Sequence, residues 1–322
     1  MKQSTFVERR GAEWECYREQ LKLLAGRQRD EQALADFPRR YRGICNDLAL
    51  ARSRGYSLAL VEQLEAMVRE GHARLYRPRS SLARDAAAFF AADFPAQVRA
   101  EWKLVAVCTL LLFGPILWLG AMVGQQPEFV YRVLDAETVV NYERMYAGGH
   151  TGRSGPTDVL MFAFYIMNNV GVALRTFAAG LLFGIGAAAI LLINGVQIGA
   201  IGAHLSWEGY HENFLSFVVG HGAFELPAIA LAGVAGARMG LSILLPGARP
   251  RVDALRAVAA GAVRLLYGVI AMLLAAAGLE AFWSASPAPA SVKYLVGGVL
   301  WAGVIGYFAL AGRRARGPGH AH

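Results

Sequence analysis

The chain has 322 residues, of which 55% are hydrophobic, and a formal net charge of +8. This composition is too apolar for a protein that is soluble throughout, and it leaves room for one soluble domain plus a membrane domain. Neither zinc-ligand spacing, an aromatic RNA-binding signature nor a dense basic block accompanies the charge, so we expect no nucleic-acid partner. The three cysteines, Cys16, Cys45 and Cys108, form no CxxC pair, which argues against a disulfide framework or a metal knuckle.

Residues 1–100 predict a cytosolic domain of amphipathic helices. Apolar residues recur at helical spacing between charged ones, first over about 4–26. Phe37–Pro38 marks the start of a second helix, and Ser57 is a plausible N-cap for a third. The connections are short and favour an antiparallel bundle, in which His72 is expected to be an ordinary packing residue. We find no catalytic pattern in this domain.

Residues 101–322 predict a transmembrane domain, which makes the fold class an all-α polytopic membrane protein with an N-terminal helical bundle. The weakest span is 159–175, which is short and ends at Arg175. An extracytoplasmic loop, 125–158, follows the first span. The six predicted spans are about 104–124, 159–175, 176–204, 213–245, 253–282 and 291–312.

The distribution of charge predicts the topology, because Lys and Arg are enriched in cytosolic loops. If 159–175 spans the membrane, the loop 125–158 and the acidic connection 206–212 both lie outside. Arg249 and Arg251 then lie inside with the basic N-terminal domain. We therefore expect a multi-pass protein of the cytoplasmic (inner) membrane with both termini in the cytosol.

Polar side chains inside the predicted spans are candidates for function, because a charged or amide group in the hydrocarbon layer is costly. His221 and Glu225 are four residues apart and therefore share one helix face. Pro227 follows and predicts a helix kink that frees a carbonyl beside the glutamate. The predicted intramembrane polar cluster comprises Asn168, Asn169, Asn194, Gln197, His221 and Glu225.

A purely structural interpretation of this cluster stays open. The same groups could hydrogen-bond one another and fix helix packing, which is worth about 1 kcal/mol per pair in membranes. A catalytic zinc normally needs three protein ligands, and the only other nearby donor is His204. His204 and Glu280 are both expected at the interface. We therefore predict no metal, no cofactor and no enzymatic activity.

Small residues repeat every four positions in several spans, and this spacing lets helix backbones approach closely. The repeats are Gly180 with Gly184, Gly195 with Gly199, and Gly236 with Gly240. The sequence leaves open whether these surfaces pack within one chain or between two.

Several motifs resemble the stage II sporulation protein M family, above all the HGxxE run. In spore formers, the resemblance implies a membrane protein that recruits peptidoglycan-degrading partners. The longer branch, with its cytosolic N-terminal domain, is often encoded near a MoxR-type ATPase, which implies an assembly role. The residues that carry the resemblance are Asn168–Asn169, Asn194–Gly195, His221 to Pro227 and Pro246–Gly247, and upstream Trp14, Tyr41–Arg42, Asp47 to Ala49, His72 to Tyr76 and Phe94–Pro95.

Two hypotheses about function follow. The first is a scaffold or assembly factor of the cell envelope, whose expected partners are membrane lipids, membrane or envelope proteins such as a MoxR-type ATPase system, and a second copy of the chain. The alternative is a transporter, channel or lipid-moving protein that uses a pocket around Asn168, Asn194, His221 and Glu225.

Overall fold

A computed structural model describes residues 2–25, 31–75, 82–148 and 155–313. All regular secondary structure in these ranges is helical, which confirms the all-α fold class. The chain divides into two compact units, Met1–Asp85 and Ala86–His322. The first unit ends before the expected boundary at residue 100, because the segment after Asp85 packs on membrane-spanning helices.

The N-terminal unit contains the helices α1 (Gln3–Ala25), α2 (Glu31–Ser53) and α3 (Leu58–Leu75). His72, which we expected among the packing residues, is exposed. The face of α3 that packs into the core is offset by one residue from the predicted face. The sequence also predicts that residues 77–79 end this third helix, and these residues lie outside the described ranges. The core of this unit comprises Phe6, Trp14, Tyr17, Leu21, Phe37, Ile44, Leu48, Ala51, Leu60, Leu64 and Met67.

A short helical segment leads into the membrane unit. It consists of α4 (Leu82–Ala88), a π-helical turn (Phe89–Asp93) and α5 (Phe94–Ala100). Phe94 is buried in the core of the membrane unit. Gln97 donates to the carbonyl of Gly261 at 2.5 Å, and Arg99 donates to the carbonyl of Phe308 at 2.8 Å. These bonds fasten α5 to two of the membrane-spanning helices.

Within the described ranges, six helices are long and apolar enough to cross a membrane, which confirms the predicted number of spans and identifies a multi-pass membrane protein. The π-helical segment Leu279–Ser284 continues the fifth. The spans are α6 (Trp102–Gln125), α8 (Gly155–Gly180), α9 (Ile185–Trp207), α10 (His211–Leu244), α11 (Arg251–Gly278) and α12 (Ala290–Leu310).

The break between the second and third spans differs from the predicted one at 175/176. Helix α8 continues past Arg175 to Gly180, because an exposed arginine near a helix end does not interrupt backbone hydrogen bonding. The chain turns at Phe183 and Gly184, whose φ angles are 55° and 81°. This left-handed backbone costs little at glycine, so the turn occurs there.

Helix α10 is the centre of the membrane unit. It packs against α6, α8, α9, α11 and α12, and it is the most buried of the six spans. A Cβ on Gly236 would collide with the Phe177 carbonyl of α8. A Cβ on Gly199 would lie 2.7 Å from Cα of Ile116 in α6. These small residues therefore bring helices of one chain together.

The connection between α6 and α8 covers one end of the bundle. It contains a 3-10 helix (Pro127–Arg132) and α7 (Ala136–Ala147), and its residues 149–154 lie outside the described ranges. Val130 and Val139 pack against residues of α6 and α9. Nε2 of His204 lies 2.7 Å from Oε1 of Glu143, which joins α9 to α7.

Candidate functional site

A histidine and two glutamates meet between α10 and the end of α11. His221 and Glu225 lie one turn apart on α10, and Glu280 comes from the π-helical segment Leu279–Ser284. Their potential ligand atoms all lie within 4.8 Å of one another. The distance from Nε2 of His221 to Oε2 of Glu225 is 4.0 Å, which is too long for a hydrogen bond.

Two further residues hold this group in place. Oγ of Ser284 lies 3.2 Å from Nδ1 of His221, and Nζ of Lys293 donates to the carbonyl of Ser284 at 2.7 Å. Ser284 and Lys293 are buried, at 0% and 2% exposure. Three elements, α10, the π-helical segment and α12, therefore converge on one polar site, which we call the His–Glu–Glu cluster after His221, Glu225 and Glu280.

The walls of the cluster are aromatic. The Phe217 ring packs edge to face on His221, with 5.4 Å between the ring centroids. Trp283 lies against the backbone of Gly220, one residue before the histidine. Aromatic walls lower the local dielectric, which strengthens electrostatic interactions among the polar groups they enclose.

The cluster is suited to bind a cation or a proton. An imidazole nitrogen and two carboxylates are donors to metal ions, and buried charges have to be paired or coordinated. The side chain of Glu225 retains 20% of its exposure, so the cluster is not sealed from its surroundings.

The structure separates the six polar residues that the sequence grouped. His221 and Glu225 belong to the His–Glu–Glu cluster. The Asn194 amide donates to the carbonyl of Ile190 on its own helix at 2.8 Å, and Gln197 is exposed on the bundle surface. Pro227 lies inside α10, which continues as one helix to Leu244.

The paired asparagines of α8 also differ from each other. Asn168 is exposed and donates to Oδ1 of Asn169 at 2.9 Å, whereas Asn169 is buried. Within the described ranges, Nδ2 of Asn169 has no hydrogen-bond partner. The pair therefore presents one amide to the surface and one to the interior.

Sequence reasoning missed three members of the site. Glu280, which was expected at the interface, supplies the third donor, and Ser284 and Lys293 support the histidine. His204, which we considered the only other donor, pairs with Glu143 instead. A signal was available, because Glu280 and Lys293 are charged residues within the predicted spans.

A family model for Stage II sporulation protein M matches residues 109–285, which is more than half of the chain. The chain belongs to the stage II sporulation protein M family. The family region contains the whole His–Glu–Glu cluster and Ser284, whereas Lys293 follows it. A second model, described as Domain of unknown function (DUF8413), matches residues 4–77 in the N-terminal unit. No curated protein and no solved structure matches the chain.

Proposed function

We propose that this protein is a non-enzymatic assembly factor of the cell envelope that binds a partner protein at the membrane surface. The observation that carries the proposal is the combination of a membrane unit of the stage II sporulation protein M family with a separate helical unit that has its own hydrophobic core. A unit with its own core can keep a defined surface and present it to a partner.

We assign partner binding to a groove between α1 and α2. The groove has a volume of about 590 Å³ and is lined by charged residues of both signs, including Glu13, Asp36, Arg39 and Arg40. Arg39 and Arg40 are exposed. Complementary charge speeds association and selects partners, so a charged groove suits a polar protein surface. The resemblance suggests a MoxR-type ATPase as the partner.

Cross-linking in the native host, followed by co-purification of bound proteins with the full-length chain, tests this assignment. With the full-length chain, we expect Arg39→Glu/Arg40→Glu to lower recovery of the host's MoxR-type ATPase by about tenfold or more, because charge reversal costs at least about 1.4 kcal/mol in binding. Arg9→Glu/Arg54→Glu makes the same charge change at exposed positions that do not line the groove and should leave recovery unchanged. Equal recovery with both variants would reject the groove, and no recovery with the parent would reject this partner.

We also propose that both termini lie on the cytosolic side of the cytoplasmic membrane. Arg249 and the first residue of α11, Arg251, lie where α10 connects to α11, whereas Glu208 and the second residue of α10, Glu212, lie where α9 connects to α10. In a background without native cysteines, a cysteine replacing Glu208 should react with an impermeant thiol reagent in intact cells. A cysteine replacing Ala248 should react only after permeabilisation. The opposite pattern would invert the proposed topology.

The second candidate function is transport, by a channel, a carrier or a lipid-moving protein. The position of the His–Glu–Glu cluster between candidate membrane spans favours it, because ionisable residues at such positions mark ion and proton pathways. Purified protein in liposomes should then carry protons or Zn²⁺ across the bilayer, and Glu225→Gln should abolish the flux. Equal flux in parent, variant and empty liposomes would reject this candidate.

A further inference from the structure

Three side chains in the membrane unit present metal-binding atoms to a common space. The ligand atoms of His221, Glu225 and Glu280 all lie within 4.8 Å of one another. An ion bound at about 2.0–2.2 Å from each ligand atom joins atoms up to roughly 4 Å apart, so small side-chain rotations would complete coordination. We propose that these three residues bind a divalent metal ion of the zinc class.

The placement of the His221 ring is a second observation that points to a ligand. The residue is only 5% exposed, and its Nδ1 lies 3.2 Å from Oγ of Ser284. Nε2 lies 4.0 Å from Oε2 of Glu225, which is too far for a hydrogen bond to that carboxylate. A neutral imidazole nitrogen is a common metal ligand.

The surroundings of His221 match those of metal-ligating histidines. Such histidines hydrogen-bond through the other ring nitrogen, which fixes the orientation of the ring. Ser284 takes this role here, and Lys293 holds the carbonyl of Ser284 at 2.7 Å. Ser284 and Glu280 share one π-helical segment, a rare conformation that is frequent at functional sites.

The donor set selects the class of metal. One imidazole nitrogen with two carboxylate oxygens suits Zn²⁺, Mn²⁺ or Fe²⁺, whereas Ca²⁺ and Mg²⁺ prefer oxygen ligands alone and soft ions prefer sulfur. Zn²⁺ is the natural probe because it accepts nitrogen and oxygen ligands in a four-coordinate geometry. Three protein ligands leave a fourth position for water or another ligand. The inference does not depend on the assembly role, because partner binding was assigned to the N-terminal unit.

Metal content and affinity test the site directly. The full-length chain is purified with a histidine-free tag, with His320 and His322 changed to alanine so that the terminal histidines cannot bind the ion. After treatment with a chelator, the protein is titrated with Zn²⁺, and bound zinc is counted by mass spectrometry after desalting. We expect one Zn²⁺ per chain and a higher thermal unfolding temperature with Zn²⁺, since an ion that binds the folded state stabilises it.

Variants distinguish the proposed ligands from other polar groups. Loss of a residue that orients a ligand lowers metal affinity by about 10–100-fold, which is the effect expected for Ser284→Ala. Loss of a ligand should have a larger effect. Buried His204 is the matched control, because it lies 2.7 Å from Glu143 and outside the cluster. The ligand variants are His221→Gln, Glu225→Gln and Glu280→Gln, and the control variants are His204→Gln and Glu143→Gln.

Each outcome decides the proposal. Zinc binding and the thermal shift should disappear in the ligand variants and persist in the controls, with the proteins eluting as the parent does in size-exclusion chromatography. Absence of stoichiometric zinc in the parent would overturn the site. Parental affinity in Glu225→Gln and Glu280→Gln would overturn it equally. Since ATPase recovery is a separate measurement, failure of the metal site leaves the proposed assembly role to its own test.

Discussion

The two units hold a carboxylate in different ways. In the N-terminal unit, the Nε–H of Arg10 is shared between the two oxygens of Asp47, at 2.9 and 3.1 Å, and Nε1 of Trp14 donates to the same carboxylate at 2.8 Å. In the membrane unit, Oε2 of Glu225 lies 4.0 Å from Nε2 of His221, beyond hydrogen-bond distance. Asp47 therefore joins α1 to α2, whereas Glu225 faces its histidine without bonding to it.

The membrane unit is itself capable of a close pair of the same kind. Nε2 of His204 and Oε1 of Glu143 lie 2.7 Å apart, where α7 joins α9. A histidine and a glutamate that only connect two helices therefore come together, while His221 and Glu225 stay apart with a third donor beside them. The comparison indicates that spacing, rather than residue type, separates a structural pair from a group that can accept a ligand.

The largest expected effect is on function in the native host. Glu225→Gln should abolish function while the membrane level and the thermal stability of the metal-free protein stay near parental values, because glutamine keeps the shape of the side chain and loses its charge. Complementation of a deletion strain and quantification of the protein in membranes measure the two effects. Asn194→Ala is the control, since that amide bonds to its own helix. Full complementation by Glu225→Gln would show that the cluster serves helix packing alone.

A packing variant of the membrane unit should show the opposite pattern, with stability lost first. Gly236→Ala should destabilise the protein by about 1–3 kcal/mol, because its Cβ would collide with the backbone carbonyl of Phe177, which cannot rotate away. Gly298→Ala, where nothing lies within 4 Å, serves as the control. Thermal unfolding in detergent measures both. Equal unfolding temperatures would contradict the close approach of α8 and α10.

In the N-terminal unit, removing the buried carboxylate should act on stability alone. Asp47→Ala should cost about 1–3 kcal/mol, because it leaves the Trp14 indole and the Arg10 guanidinium without their acceptor. Hydrogen exchange of α1–α3 in the full-length chain is the measurement. Glu65→Gln removes an exposed ion pair with Arg52 and should change exchange less. Unchanged hydrogen exchange in Asp47→Ala would contradict the stabilising role assigned to this carboxylate.

The smallest expected effect is a pH dependence at the start of α7. The backbone N–H and the hydroxyl of Thr138 both donate to the Asp135 carboxylate at 2.8 Å, and these bonds hold its pKa below the ordinary value. A lowered folded-state pKa means that the cap stabilises α7 above the unfolded-state pKa of about 3.9 and loses this effect as the pH falls through the folded-state pKa.

The protection of the α7 backbone amides from hydrogen exchange should therefore decrease on acidification below about pH 4. Asp135→Asn should abolish most of this pH dependence, whereas Glu137→Gln, in the same first turn, should retain it. Identical pH profiles for parent and Asp135→Asn would show that the cap does not control α7.

The sequence determined the architecture because membrane insertion depends on local apolar content. Runs of about twenty apolar residues are long enough to cross the hydrocarbon layer, and the six spans follow from that length alone. The apolar content of a segment does not locate the residue at which its helix ends. Arg175 looked like the end of a span, yet the chain turns at Phe183–Gly184, where the backbone is left-handed.

The membership of the site was decided by tertiary structure. The spacing of His221 and Glu225 predicted a shared helix face, because that relation lies within one helix. Glu280, Ser284 and Lys293 join them only because α10, the π-helical segment and α12 pack together, which no periodicity within one helix records. Gln197 looked equivalent in the sequence but lies on the exposed side of α9, because the glycine face of that helix packs on α6. Hydropathy is a property of each segment, whereas the direction in which a polar side chain points depends on which neighbouring helix covers it.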